Sequence, residues 1–289
     1  MGDAELLRRF QPEEYYGQFL ERDLRPDGRQ MLERREAVMQ VGIFSSAQGS
    51  ASVRFGLSSA VAGVRAFVSE AVPDQPPVGR INISVDLPHL CHHSFRDRGK
   101  ANAISTFLSR AFTDILNNHV VFDSSQLDIK GSETFWSLMV DVVCLNYDGN
   151  PFDVCLLAAV AALQNASLPT LVTKESLGAK LLAVEGEIPP DCQVATAARK
   201  ISVQSRPAPT TFSQMHDSTW VLDPTAEEEE LGSSLSLCLV GRRWLVYHQG
   251  SGAQADSFLK ELMPAASAAL PDLQKLFGAG GDASGMDCS

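Results

Sequence analysis

Early in the chain, apolar and polar residues alternate in short runs: Val41 and Ile43, Val53 and Phe55, then Val61 and Val64, with Gln48-Gly49 and Gly56 between them. A period of two puts successive side chains on opposite faces of a strand, so Ala37 to Val68 predicts three antiparallel strands in a meander. A Pro-rich break at Pro73 to Gly79 precedes a further strand-like run, Ile81 to Leu87. The period then changes. Ile104, Phe107, Leu108, Phe112 and Ile115 recur at helical spacing within Ala101 to Asn118. Phe135 to Leu145 predicts a strand ending in an Asp148-Gly149 turn, and the Ala-rich apolar run Val154 to Leu163 predicts a fully buried helix.

Leu168 to Val172, Ile201 to Val203 and Thr219 to Leu222 predict more strands, the last returning through His216-Asp217 to a partner near Thr211. Ser236 to Val240 and Trp244 to His248 flank Gly241-Arg242 as a hairpin. Pro12 to Leu20 predicts a short helix in a polar surface arm, broken by Pro26 and Gly28. Ala253 to Phe277 predicts a helix interrupted at Pro264 and Pro271. The order of elements predicts an α+β fold with helices packed on mixed sheets, divided into an arm (1–35), a main domain (36–277) and a Gly-rich disordered tail (278–289). No GxGxxG or GxxxxGK[ST] marks a nucleotide site.

At 289 residues and 44% hydrophobic content the chain can bury a full core, and no apolar stretch approaches a membrane span. Its formal net charge of −11 excludes a free-standing nucleic-acid binder, so any such contact is local. The scattered cysteines, Cys91, Cys144, Cys155, Cys192, Cys238 and Cys288, read as reduced, buried thiols of an intracellular protein.

The candidate chemistry centres on DPTAEEEE, Asp223 to Glu230, where carboxylates cluster between two apolar runs. Asp223-Pro224 reads as a strand end and turn, and Glu227 to Glu230 as a solvated acidic loop; Asp223 with one Glu holding a divalent ion is the alternative. HLCHH, His89 to His93, carries metal-ligand types, but no second ligand pair follows at a zinc-like spacing, and it reads as a surface loop with a partly buried Cys91. A protein binding metal through both segments is one function these residues leave open. Arg96, Arg98 and Lys100 form a local basic patch, with Phe95 available to stack on a base. Arg25, Arg29, Arg34 and Arg35 alternate with Glu33 and Glu36 and read as an exposed mixed surface or interface. No Ser-His-Asp or Cys-His arrangement is supported, and His216-Asp217 reads as a turn.

Arg25 to Arg29 (RPDGR), Ser46 to Val64 (SAQGSASVRFGLSSAVAGV), Tyr147 to Leu163 (YDGNPFDVCLLAAVAAL) and VLDPTAEEEE together resemble the RNase PH family. Within it, EYYGQFL, VDLPHLC (Val85 to Cys91) and the DGN turn are most similar to the non-catalytic, rRNA-processing ring subunits of the eukaryotic RNA exosome. The resemblance implies an RNase PH-like fold (ribosomal protein S5 domain 2-like) with two βαβ-like halves, in a six-membered ring threaded by RNA. It implies as partners other RNase PH-like ring subunits and S1/KH-type cap proteins, and location in nucleus, nucleolus and cytoplasm.

Active members of that family cleave RNA from its 3′ end with phosphate as nucleophile. They place a Gly-Thr-Arg-like sequence before the buried helix and a catalytic Asp after the acidic run. Here Phe152 stands at the Arg position, Asp153 is placed to cap the helix, and Ser234 lies nearest the missing Asp, after Gly232 and Ser233. The resemblance therefore implies a catalytically inactive structural subunit, with no catalytic residue, metal or cofactor, and with Arg96, Arg98 and Lys100 touching RNA. The alternative is an active phosphate-dependent 3′-5′ exoribonuclease whose site a partner completes.

Overall fold

A five-stranded sheet and a four-stranded sheet enclose one helix that is apolar on every side. The computed structural model describes residues 3–70, 80–129, 134–172, 193–215, 219–249 and 255–279. The predicted Pro-rich break, the His216-Asp217 turn, Cys192, Cys288 and most of the C-terminal tail lie outside them.

The chain opens with α1 (Asp3–Phe10) and α2 (Pro12–Leu20), and the meander follows as β1 (Ala37–Val41), β2 (Gly49–Phe55) and β3 (Ser58–Glu70). In β4 (Ile81–Asp86) the sequence INISVD alternates strictly between buried and exposed, so one face of this sheet is packed and the other open. A 3-10 turn (His93–Arg96) leads into α3 (Arg98–Leu116), which returns the chain to β5 (Thr134–Asn146) parallel to β4. The sheet order is β1-β2-β3-β5-β4. Of the two implied βαβ-like halves, the described residues contain one, β4–α3–β5; the second sheet is antiparallel throughout.

α4 (Pro151–Asn165) is buried from Pro151 to Leu163, because it packs on β2, β3 and β5 on one side and on the second sheet on the other. Gly49 permits this closeness: a Cβ there would lie 2.4 Å from the Ala162 carbonyl oxygen. A two-stranded ribbon follows, β6 (Ser167–Val172) with β7 (Gln193–Lys200). The strand predicted at Ile201 to Val203 is absent, because the Gln126 side chain occupies both backbone groups of Ser202 and only an isolated bridge, Phe122 to Val203, remains.

The second sheet has the order β11-β10-β8-β9, from β8 (Ala208–Gln214), β9 (Trp220–Leu222), β10 (Ser233–Val240) and β11 (Arg243–Gln249). Between β9 and β10 sits α5 (Ala226–Leu231). In β10 Leu235 and Leu237 pack on Leu262 and Ala266 of α6 (Ala255–Ala279), whereas Ser236 turns the other way, onto Thr211. The interruption expected at Pro264 and Pro271 does not occur; α6 runs through both, and buried Leu262, Ala266 and Leu273 hold it against the body. Among the described residues no helix is long and apolar enough to cross a membrane, and Cys91, Cys144, Cys155 and Cys238 are free and buried.

Candidate functional site

The acidic segment is a helix, not a solvated loop. Asp223 ends β9 with φ of 51°, a left-handed conformation that Asp tolerates better than most residues, and Thr225-x-x-Glu228 then starts α5 with the Glu228 carboxylate accepting the Thr225 N–H at 2.8 Å. Acids in the first turn suit the positive end of the helix dipole. Each inward acid also has a partner from distant sequence, and most of the cations come from the segment read as an exposed basic group.

Arg25, only 1% exposed, donates Nε and Nη2 to Glu228 and Nη1 to the Leu222 carbonyl. Arg35 forks onto Asp223 at 2.9 and 2.8 Å, its own backbone N–H adds a third bond at 3.0 Å, and Asn150 Nδ2 supplies a fourth at 2.6 Å. Arg29 stands 3.5 Å from Asp223, and Arg34 3.6 Å from Asp153. On the outer side Glu227 takes Arg8 and the Tyr16 hydroxyl. The arm is thus tied into the body, and the reading of these arginines as a mixed surface is corrected: carboxylates cannot stay charged in this interior without them.

These contacts set protonation. Burial would push the Asp223 carboxyl up, but the Arg35 hydrogen bonds and charge hold it well below the usual range. With both oxygens engaged it is not free to ligate a divalent ion. Among the described residues no group of three His, Cys, Asp or Glu side chains is arranged to hold a metal.

Glu229 behaves oppositely. It accepts the Tyr147 hydroxyl at 2.6 Å and the Asn150 N–H at 2.8 Å, yet burial dominates and pushes it up to about 7. A carboxyl raised from 4.5 contributes fully below its ordinary value and loses that contribution as pH rises through about 7. Denaturant unfolding should therefore show roughly 2 kcal/mol less stability at pH 8 than at pH 5, and Glu229→Gln should flatten that slope.

At the turn before α4 the donors of Asn150 find their partners within the chain. Gly149 (φ 78°) lets the chain pass within van der Waals reach of α5's lead-in; a Cβ would lie 2.4 Å from the Pro224 carbonyl oxygen. Asn150, not Asp153, is the N-cap, its side chain accepting the Asp153 N–H at 3.3 Å. Asp153 instead reaches β8, taking the Thr211 hydroxyl at 2.7 Å, and burial outweighs the nearby Arg34 to raise its pKa. Phe152 is core, packed against Phe112 and Tyr247 at 5.2 Å each. Where a phosphate would meet the dipole of α4, the carboxylates of Asp153, Asp223 and Glu229 converge on Asn150. Ser234 is buried at the start of β10, opposite Ser213 in the sheet register.

Arg96, Arg98 and Lys100 lie exposed at the entrance to α3, whose cap is Asp97 accepting the Gly99 N–H at 2.9 Å. Phe95 is not available for stacking: it is 1% exposed, with its ring 4.8 Å from that of Tyr147. In HLCHH, Cys91 is buried and the Cys144 thiol beside β5's end donates to the Asn146 carbonyl, while His92 Nδ1 is taken by Ser94 Oγ at 2.7 Å. Sequence reasoning missed Tyr147 and Glu229, which join this loop to α5; the only signal was an aromatic directly before the DGN turn.

Comparison with known proteins places this arrangement. The family model described as 3' exoribonuclease family, domain 1, matches residues 33–169. The exosome complex component rrp43 of Schizosaccharomyces pombe is 30% identical over 228 residues, 79% of this chain and 80% of that protein. The exosome complex component Rrp42 of Sulfurisphaera tokodaii is 36% identical over 150 residues, 52% of this chain and 54% of its own. Among solved structures, a chain of the Archaeoglobus fulgidus exosome with RNA bound to the active site superposes with a TM-score of 0.76 at 25% identity, covering 95% of this chain and 98% of that one. A relative aligned over about four fifths of both sequences, with a domain match running from Glu33 to Pro169, means that the chain belongs to the RNase PH family.

Proposed function

We propose that the chain is a ring subunit of an RNA exosome, inert as a phosphorolytic exoribonuclease, that helps shape the RNA channel and docks neighbouring subunits. Its partners are other RNase PH-like subunits and S1/KH-type cap proteins; it works in nucleus, nucleolus and cytoplasm. The observation that carries inertness is the convergence of Asp153, Asp223 and Glu229 on the helix terminus where the family's phosphate would bind. These side chains take up the Asn150 N–H and Nδ2 donors that an anion would need, and Phe152 supplies no cation. An active site completed by a partner would first have to displace these side chains from Asn150.

Channel contact is assigned to Arg96, Arg98 and Lys100, which are exposed and have no carboxylate partner among the described residues. A local basic row of this kind lets an acidic chain hold an RNA backbone, since each phosphate neutralised releases counterions. In a reconstituted ring, Arg96→Glu/Arg98→Glu/Lys100→Glu should leave assembly intact and weaken single-stranded RNA binding about 100-fold near 0.1 M salt. Unchanged affinity would remove this assignment.

A further inference from the structure

We infer that Tyr147, braced by Glu229 of α5, is a positioning residue that holds the Cys91–Phe95 loop and thereby aims Arg96, Arg98 and Lys100. The functional half of this inference rests on the RNA assignment above; the mechanical half does not.

Tyr147 is the common partner of otherwise separate pieces. Its backbone N–H donates to the Cys91 carbonyl at 3.2 Å, its ring meets Phe95 edge-on at 4.8 Å, and His92 tilts against it at 5.3 Å. Its hydroxyl donates to Glu229 Oε2 at 2.6 Å, while the other Glu229 oxygen is tied to the Asn150 N–H. Phe95 is therefore clamped from below, and the basic row begins at the next residue, in the same 3-10 turn. A chain turn this short transmits position: Arg96 on an unclamped turn, with Arg98 and Lys100 in the first turn of α3 behind it, would lose conformational freedom on meeting RNA, and a clamp lowers that cost. It also gives α5 a use beyond a lost active site, because an acid in its first turn anchors the clamp.

The test uses the assembled ring with Tyr147→Phe, which deletes only the hydroxyl. Hydrogen exchange of the 91–100 amides should rise about tenfold, the effect of one lost buried hydrogen bond, with exchange in α4 and the sheets unchanged. Affinity for single-stranded RNA should fall several-fold, with a shallower dependence on salt as the row samples fewer phosphates at once. Unaltered exchange at 91–100 in Tyr147→Phe overturns the inference. Tyr147→Leu, which also removes the ring, should give a larger effect on the same segment; if it fails to assemble, Tyr147→Phe alone decides. The triple charge reversal separates the two claims. It should abolish the RNA effect while leaving exchange at 91–95 unchanged, so its failure removes the RNA assignment and leaves the clamp to be judged by exchange.

Discussion

Replacing Asp223 by asparagine is expected to destabilise the protein by about 3–5 kcal/mol, the cost of removing the fully buried counter-ion that Arg35 and Arg29 share. Asn is the informative substitution because it keeps the shape of the side chain and tolerates the φ of 51° that Asp223 adopts, so the loss reports charge and not backbone strain. Arg35 and Arg29 would each lose their buried carboxylate and keep only the more exposed Asp148 and Asp27, and Asn150 would face a second amide at 2.6 Å. Against a typical total of about 5–15 kcal/mol this is a large fraction. Thermal unfolding should drop by roughly 10 °C. A shift within 2 °C would mean that the network is solvated. Asp223→Ala should cost more, since it adds a non-Gly residue without Asn's tolerance for left-handed backbone.

Arg25→Met is the second large effect, again about 3–5 kcal/mol. The methylene stem remains, but Glu228, about 2% exposed, loses its cation, the Leu222 carbonyl loses the Arg25 donor, and the Asp223 carbonyl is left with Arg29 alone. The companion double variant, Arg25→Met/Glu228→Gln, should recover much of the loss, because a neutral amide there needs no counter-ion. Urea unfolding of both single variants and the double variant measures the coupling. Purely additive losses would show that Arg25 acts by packing alone. Because Arg25 belongs to the N-terminal segment, the same experiment asks whether that segment is part of the folded body.

The strands and helices were legible where a local period decided them. INISVD in β4 alternates as its burial does, and the apolar run of α4 is buried on all sides because it lies between two sheets. What was not legible depended on pairs far apart in the chain. Arg25 and Glu228 are separated by 203 positions, so a row of arginines and a run of glutamates each looked like solvated surface when they are halves of one buried network. Short-range competition hid the rest. Asn150 adopts φ of 53° and caps α4 before Asp153 can, Phe95 turns into the core against Tyr147, and Gln126 satisfies the backbone where a strand was expected. Phe152 at the turn into α4 was legible in the sequence; that carboxylates crowd Asn150 beside it was not.

The central claim is that this site has exchanged phosphate chemistry for an internal ionic lock. The most direct measurement is release of nucleoside diphosphates from single-stranded RNA in phosphate buffer, by the chain assembled with its ring partners and a catalytically disabled form of any active subunit. The account predicts no release above the background of the disabled ring, and no binding of inorganic phosphate competing at Asn150. Phosphate-dependent release that disappears on Asp223→Asn in an intact ring would contradict it.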